Sequence, residues 1–276
     1  MLAFIIPQVA TPANITNLRK GEIIKTTPFE MVLIIREKMK IMTFNTQHCL
    51  NFIEQKIDYQ IMADAIKDLN PDIVGLNEMR DKGVDFEYDA QTSVLSELTD
   101  MKYHYFAKAI DVEGVNPYGN ALLSKYPIVR AETIPVPDPD PREETGPYET
   151  RCLLKAKLEG GITVLVIHFG LNTDEQKNAV KTVLDNIENE KCILMGDFNV
   201  ISENDVLNPI RKRMKDVADW FDVPLLSYPS DKPDVKIDYI FVSPDIEVIS
   251  ADIPAIVASD HRPHVATVNI HKTPRN

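Results

Sequence analysis

The chain has 276 residues, 44% hydrophobic and 26% charged, which suits a globular protein with room for a substantial core. A net charge of -12 argues against a broad, sequence-independent grip on nucleic acid, which needs many Lys and Arg contacts to phosphate. The three cysteines, Cys49, Cys152 and Cys192, have no tight spacing, which excludes a disulfide framework and a zinc site and points to a reducing, cytoplasmic setting.

The opening apolar run, Leu2 to Ile6, is too short to cross a bilayer and lacks the basic stretch of a signal peptide, so no membrane span is expected. Residues 1–38 differ in character from the rest and are expected to be an extension, accessory or absent from the native protein. Residues 39–271 read as a single domain and 272–276 as a tail.

From residue 40 short apolar runs alternate with amphipathic segments. Ile41–Phe44 predicts a strand, and the stripe from Ile57 to Leu69 predicts a helix ended by Asn70-Pro71. A buried strand is predicted at Ile73–Leu76, a helix at Gln91–Leu98 and a strand at Tyr103–Ala107. Further strands are predicted at Gly119–Ser124 and Cys152–Leu158, separated by a proline-rich stretch from Pro135 that reads as a surface loop. Strand Thr163–His168, helix Thr173–Glu188 and strand Cys192–Met195 follow. A helical stripe is expected over Asn208–Trp220, with Trp220 in the core and Arg211-Lys212-Arg213 on a solvated face. Ile237–Val242 and Ala266–Ile270 are the last predicted strands. Directly consecutive strands mixed with strand–helix–strand units favour mixed sheets with helices outside.

Polar residues gather at the ends of these runs. Asn45 follows the first strand, Glu78 the second, and Asn120 opens the Gly119 strand. His168 ends its strand with Asn172 four residues on, Asp197 and Asn199 end the Cys192 strand, and Asp260-His261 follow Ile256-Val257-Ala258. Asp238 lies inside the apolar run Ile237–Phe241. A carboxylate beside a core strand is unfavourable unless paired or metal-bound, so this set suggests a metal-holding, water-activating site.

The stretches Thr43-Phe44-Asn45, Leu76-Asn77-Glu78-Met79-Arg80, Tyr118 to Ser124, Glu149-Thr150-Arg151, His168 to Asn172, Gly196-Asp197-Phe198-Asn199, Tyr228-Pro229, Lys236 to Phe241 and Ser259-Asp260-His261 occur in a telling order. In that order and spacing the chain, from about residue 40 to 270, resembles the endonuclease/exonuclease/phosphatase superfamily of deoxyribonuclease-I-like hydrolases. The resemblance implies an α+β four-layer sandwich, two mixed β-sheets face to face with helices outside, and metal-dependent hydrolysis of phosphate esters. It implies a Mg²⁺ or Mn²⁺ held by Glu78 with Asn45 and Asp260, and water handled by Asp197 and Asn199. His261, aligned by Asp238, and His168 would face the phosphoryl group, with Arg151, Asn172 and Asn120 as phosphate-binding positions.

One departure bears on the metal. Some members carry Asp two residues after the first Asn, where this chain has Gln47, a weaker ligand, so a single metal site is expected. The expected activity is phosphodiester hydrolysis by in-line attack of water on a small or single-stranded substrate, by a monomer with no protein partner. The alternatives are a DNA or RNA nuclease using the same site, and a non-catalytic module that binds a phosphorylated ligand.

Overall fold

Side chains alternate across a strand with a period of two, so each strand feeds two different cores. The computed structural model describes residues 23–27, 30–84, 88–220 and 225–272. The chain divides into two compact units, residues 1–37 with 271–276, and residues 38–270. In the first unit β1 (Ile23–Thr27) forms an antiparallel hairpin with the start of β2 (Glu30–Asn45).

The second unit continues β2 to Asn45. Next come β3 (Leu50–Asn51), β4 (Lys56–Ile57), α1 (Tyr59–Leu69), β5 (Ile73–Arg80), α2 (Gln91–Thr99), β6 (Tyr103–Val112) and β7 (Asn116–Ser124). They are followed by β8 (Ile128–Pro135), β9 (Cys152–Leu158), β10 (Thr163–His168), α3 (Thr173–Asn186) and β11 (Cys192–Asp197). The remaining elements are α4 (Asn208–Arg211), β12 (Lys215–Asp216), β13 (Asp238–Val242), β14 (Glu247–Asp252) and β15 (His264–Lys272).

Two mixed sheets result. One runs β14-β15-β2-β5-β7-β6, with β2 and β5 parallel. The other runs β12-β13-β11-β10-β9-β8, with β10 and β11 parallel. The alternation sorts their side chains cleanly. Ile41, Ile73, Val164, Val166, Ile193, Met195, Ile240 and Val242 fill the core between the sheets. Their neighbours Leu165, Ile167, Leu194 and Phe241 pack with Ala179, Val180 and Val183 of α3 and Ile210 of α4. On the far side Met42, Val74 and Leu76 pack with Met62 and Ile66 of α1 and Leu95 of α2. The fold is the four-layer α/β sandwich expected of this sequence.

Local signals explain the helix ends. The Asp58 carboxylate accepts from the Gln60 and Ile61 N–H groups at 3.0 and 3.1 Å, and Asn70 closes α1 in the left-handed region at φ 46°. The helix expected over Asn208–Trp220 is corrected to the single turn of α4. Lys215–Asp216 pairs instead with β13, opposite Val242 and Phe241, so sheet-edge hydrogen bonds win over the helical stripe. Trp220 is 62% exposed, not core.

Two residues fix how closely the strands approach. Gly196 (φ +149°) lies where a Cβ would fall 1.8 Å from the Ile167 carbonyl oxygen, so no larger residue fits β11 against β10. Asn77, wholly buried on β5, crosses between the sheets. Its amide nitrogen donates to Asn120 Oδ1 at 2.8 Å and to the Ile167 carbonyl at 2.9 Å, and its oxygen accepts from the Asp197 N–H at 3.0 Å. Asn120 passes the tie on, donating to the Cys152 carbonyl at 2.9 Å.

Asn77→Leu removes all three bonds and strands their buried partners. It is expected to lower unfolding free energy by roughly 3 kcal/mol or more, read by urea denaturation. A second expectation concerns His264, wholly buried, with Nδ1 3.3 Å from the Asp238 carbonyl. Burial and the nearby Lys236 charge depress it from 6.5 to about 4, against the opposing pull of Asp216. Between those values the unfolded chain binds the proton and the native protein does not, so this group withdraws stability as pH falls through that window. Compared with a His264→Gln variant, the wild type should lose roughly 3 kcal/mol more between pH 6.5 and 4 in denaturation series.

Candidate active site

Three neighbouring strands end together. Across β10 and β11 His168 stands opposite Asp197, and across β11 and β13 Asp197 stands opposite Asp238, so register alone sets these three groups in a row. In the facing sheet Asn45, at the end of β2, pairs with Asn77 of β5. The Asn77 tie to the Asp197 N–H then holds the two strand-end sets against each other.

The backbone is bent to serve this edge. Glu78 has φ 59° within a register shift between Leu76 and Met79, a bulge that turns it off the regular β5 alternation. Gln47, His48 and Cys49 follow β2 with φ of 46, 48 and 62°, three left-handed residues in succession. Each such residue other than glycine carries about 1–2 kcal/mol of strain. Gln91 holds the turn: its amide donates to the His48 carbonyl at 2.7 Å and accepts from the Arg80 N–H at 2.8 Å.

Asn45 Nδ2 donates both to Glu78 Oε1 at 2.9 Å and to Asp197 Oδ2 at 3.0 Å, while Asn45 Oδ1 accepts from the Gln47 N–H at 3.0 Å. Asp197 Oδ1 accepts from the Asn199 N–H at 2.9 Å. Asn199 lies past the strand at φ 51°, so it reaches the site through a left-handed turn rather than strand alternation. Its amide sits 3.1 Å from His168 Nε2 and donates to the Phe169 carbonyl at 3.0 Å. Arg151 Nη1 donates to His168 Nδ1 at 3.1 Å, to Glu149 at 2.9 Å and to the Tyr118 hydroxyl at 3.3 Å. His261 Nδ1 lies 2.8 Å from Asp238 Oδ2, its Nε2 lies 3.6 Å from Asp197 Oδ2, and the Tyr228 ring covers it at 4.9 Å between centroids.

Charge is distributed unequally between the two imidazoles. Burial disfavours the His261 cation, but Asp238 and Asp197 outweigh it and lift the group to about 10. Burial, with Arg151 and His261 nearby, keeps His168 well below the ordinary histidine value. Arg151 donates to Nδ1, and Nε2 lies 3.1 Å from the Asn199 amide nitrogen and 3.5 Å from Asp197 Oδ2. Burial and the charge of Asp238 push Asp197 up to about 7, against the pull of His261. Burial also raises Glu78, with Asp260 adding to the rise and the Asn45 hydrogen bond opposing it.

Asn45, Glu78, His168, Arg151, Asp197, Asn199, Asp238 and His261 thus form one continuous contact set. Asp260 joins it through its charge on Glu78, and its carboxylate accepts from Ser259 Oγ at 3.0 Å. Asn120 belongs to the inter-sheet tie. Asn172 stands at the start of α3, its amide donating to the Pro147 carbonyl at 2.8 Å and to Glu175 at 2.7 Å. Asp197, Asp238 and His261 place ligand atoms within 4.8 Å of one another. Glu78 and Asp260 lie near enough for the charge of one to raise the other, and among the described residues neither has a Lys or Arg within 4.0 Å. Sequence reasoning assigned no role to Asn77, Gln91 or Tyr118. A polar amide inside the apolar run Ile73–Leu76-Asn77 was the available signal for the first.

The Endonuclease/Exonuclease/phosphatase family model matches residues 42–261. A comparison with curated proteins finds no match. Among solved structures, an endonuclease/exonuclease/phosphatase from Beutenbergia cavernae is similar at 22% identity and a TM-score of 0.71, covering 85% of this chain and 72% of that one. One from Bacteroides vulgatus is similar at 21% identity and 0.68, covering 85% and 99%. A mannosyl-6-phosphatase of Bacteroides thetaiotaomicron is similar at 16% identity and 0.65, covering 83% and 99%. The family match spans most of the chain and contains every strand end that forms the site, and the chain belongs to the endonuclease/exonuclease/phosphatase family of phosphoester hydrolases.

Proposed function

We propose that this protein is a Mg²⁺- or Mn²⁺-dependent phosphodiesterase that hydrolyses a small or single-stranded substrate by in-line attack of water. The observation that carries this reading is Asp197, a buried carboxylate reached by Asn45, Asn199 and both imidazoles, beside Glu78 and Asp260, which form no ion pair with Lys or Arg among the described residues. Hard oxygen donors without a cationic partner suit a divalent cation, held by Glu78 with Asn45 and Asp260. The Asp197–Asp238–His261 group is the weaker metal candidate, because its imidazole is already bonded to Asp238 and drawn to the charged form, which cannot ligate. A bound divalent cation supplies Lewis-acid charge at the phosphoryl oxygens. Gln47 offers only an amide, in keeping with one metal.

In this reading Asp197, poised near neutrality, takes the proton of the attacking water, and Asn199 orients it. His261, charged and fixed by Asp238, donates to the phosphoryl oxygens or the leaving group. His168, kept neutral, lies beside the phosphate position. Arg151 holds phosphate but is partly neutralised by Glu149, and this modest positive charge matches a monoanionic diester better than a dianionic monoester. Asn120 and Asn172 serve by fixing the frame. Residues 1–38 act as an accessory extension to a catalytic domain of 39–271, and the protein works as a cytoplasmic monomer. Among the described residues no helix is long and apolar enough to cross a membrane.

The test is turnover of bis-(p-nitrophenyl) phosphate, plasmid DNA and mannose 6-phosphate with Mn²⁺, Mg²⁺ or EDTA. Diester hydrolysis that needs the metal is expected, with losses of about 100-fold or more in Asp197→Ala and His261→Ala. Nicking of the plasmid as the main activity makes it a nuclease, and hydrolysis of the sugar phosphate alone makes it a monoesterase. No turnover of any substrate, or turnover indifferent to both substitutions, removes the enzymatic reading.

A further inference from the structure

Glu175 is a buried carboxylate at the third position of α3, and among the described residues no Lys or Arg lies within 4.0 Å of it. Its charge is answered by three N–H groups instead. Oε2 accepts from the Asn172 N–H at 3.1 Å and from the Asn172 amide at 2.7 Å. That is the reach back to the residue before the helix that a glutamate makes in a capping box. Oε1 makes a bond that capping does not require: it accepts from the Glu149 N–H at 3.0 Å, in the loop that leads into β9.

The two loops joined at this carboxylate carry the two groups placed on the phosphate side of the site. Arg151 lies two residues after Glu149, and His168 lies two residues before Gly170. A Cβ on Gly170 would fall 2.4 Å from Glu175 Cδ, so the carboxylate packs directly on the His168 loop. Asn172 adds a second stitch by donating to the Pro147 carbonyl at 2.8 Å. Glu149 in turn accepts from Arg151 Nη1 at 2.9 Å through its own carboxylate, and the same Nη1 donates to His168 Nδ1 at 3.1 Å. The line of contacts that starts at Glu175 Oε1 therefore ends on the imidazole. A glutamine at this position could cap the helix with its one oxygen, but its NH₂ would then face the Glu149 N–H, donor against donor. A carboxylate, with two acceptor oxygens, serves both loops at once.

From this arrangement we infer that Glu175 is a positioning residue of the active site: its carboxylate splices the Arg151 loop to the His168 loop and so holds the guanidinium where it meets phosphate. This rests on the reading of Arg151 as the phosphate-holding residue. It makes the start of α3, which touches none of the reacting groups, part of what sets substrate affinity.

The test is a double-mutant cycle between Glu175→Gln and Arg151→Ala, run on the full chain with bis-(p-nitrophenyl) phosphate and Mn²⁺. Glu175→Gln is expected to raise KM about tenfold while kcat changes by less than about threefold, because a ground-state phosphate contact is lost. On the Arg151→Ala background the same substitution should change KM by less than about twofold, since the group it positions is gone. A merely structural role would cost the same factor on both backgrounds. Hydrogen exchange read by mass spectrometry reports the splice without turnover. Peptides covering 147–151 should exchange faster in Glu175→Gln, while those covering the body of α3, 176–186, keep wild-type rates. If Glu175→Gln unfolds at the assay temperature, Glu175→Asp, which keeps the charge but is too short to span both loops, carries the same comparisons. An unchanged KM, unchanged exchange over 147–151, or a KM penalty that persists in full without Arg151 overturns the inference. If the wild type turns over no ester, the cycle is read on the dissociation constant of inorganic phosphate, measured by calorimetry on metal-free protein. A loss that needs Arg151 then supports the splice while the phosphodiesterase reading falls, and no loss, or no phosphate binding by the wild type, overturns the inference as well.

Discussion

The site depends on one buried amide. Asn77 belongs to the first sheet, yet two of its three side-chain bonds end on the second, at the Ile167 carbonyl and the Asp197 N–H. Sheets packed face to face are held mostly by non-directional apolar contact, which fixes their separation but tolerates small slides. Hydrogen bonds across that interface do not. Because Asn77 lies between Leu76 and Glu78 and bonds to Asp197 itself, the same residue that fixes the sheets also fixes Glu78 against Asp197. A slide of even an ångström at this point would break both sets of contacts.

On that frame the sequence mounts groups whose charges are unequal by construction. His261 and His168 both face Asp197 Oδ2, at 3.6 and 3.5 Å, but only His261 has a carboxylate behind it. His168 has an arginine behind it instead. One imidazole is thereby charged and the other neutral across the same oxygen, so the pair can offer distinct donors without ever competing for one proton. Environments that push matched groups apart are how a single pocket assigns different tasks to similar side chains.

Much of this was legible in the chain. The strand-end polar residues were readable because a charged or amide group beside Ile73–Leu76 or Cys192–Met195 has no solubility purpose, and the structure joins seven of them by contact. Elements with both faces busy read equally well. The misses have a common cause. β8 and β14 lie at sheet edges or carry exposed residues, so their composition does not announce a strand. The stripe at Asn208–Trp220 looked helical because its period is helical, and only β13, distant in sequence, claims Lys215 and Asp216 for a sheet. Asn77, Gln91 and Tyr118 act through partners 11 to 120 residues away or through backbone atoms, and neither is visible in a local pattern.

The left-handed turn at Gln47, His48 and Cys49 has a consequence for how the protein ages and breathes. Stored strain lowers the free energy needed to open a segment, and this one is held by Gln91, by the bonds of Thr46 to the Asn77 carbonyl and by the Cys49 core. The end of β2 therefore concentrates backbone strain inside a buried part of the domain. Since Asn45 terminates that strand, such an opening would dismantle the proposed cation site long before the protein unfolds. Loss of function on warming and loss of structure should be separate events, with a bound cation closing the gap between them by holding that strand end in place.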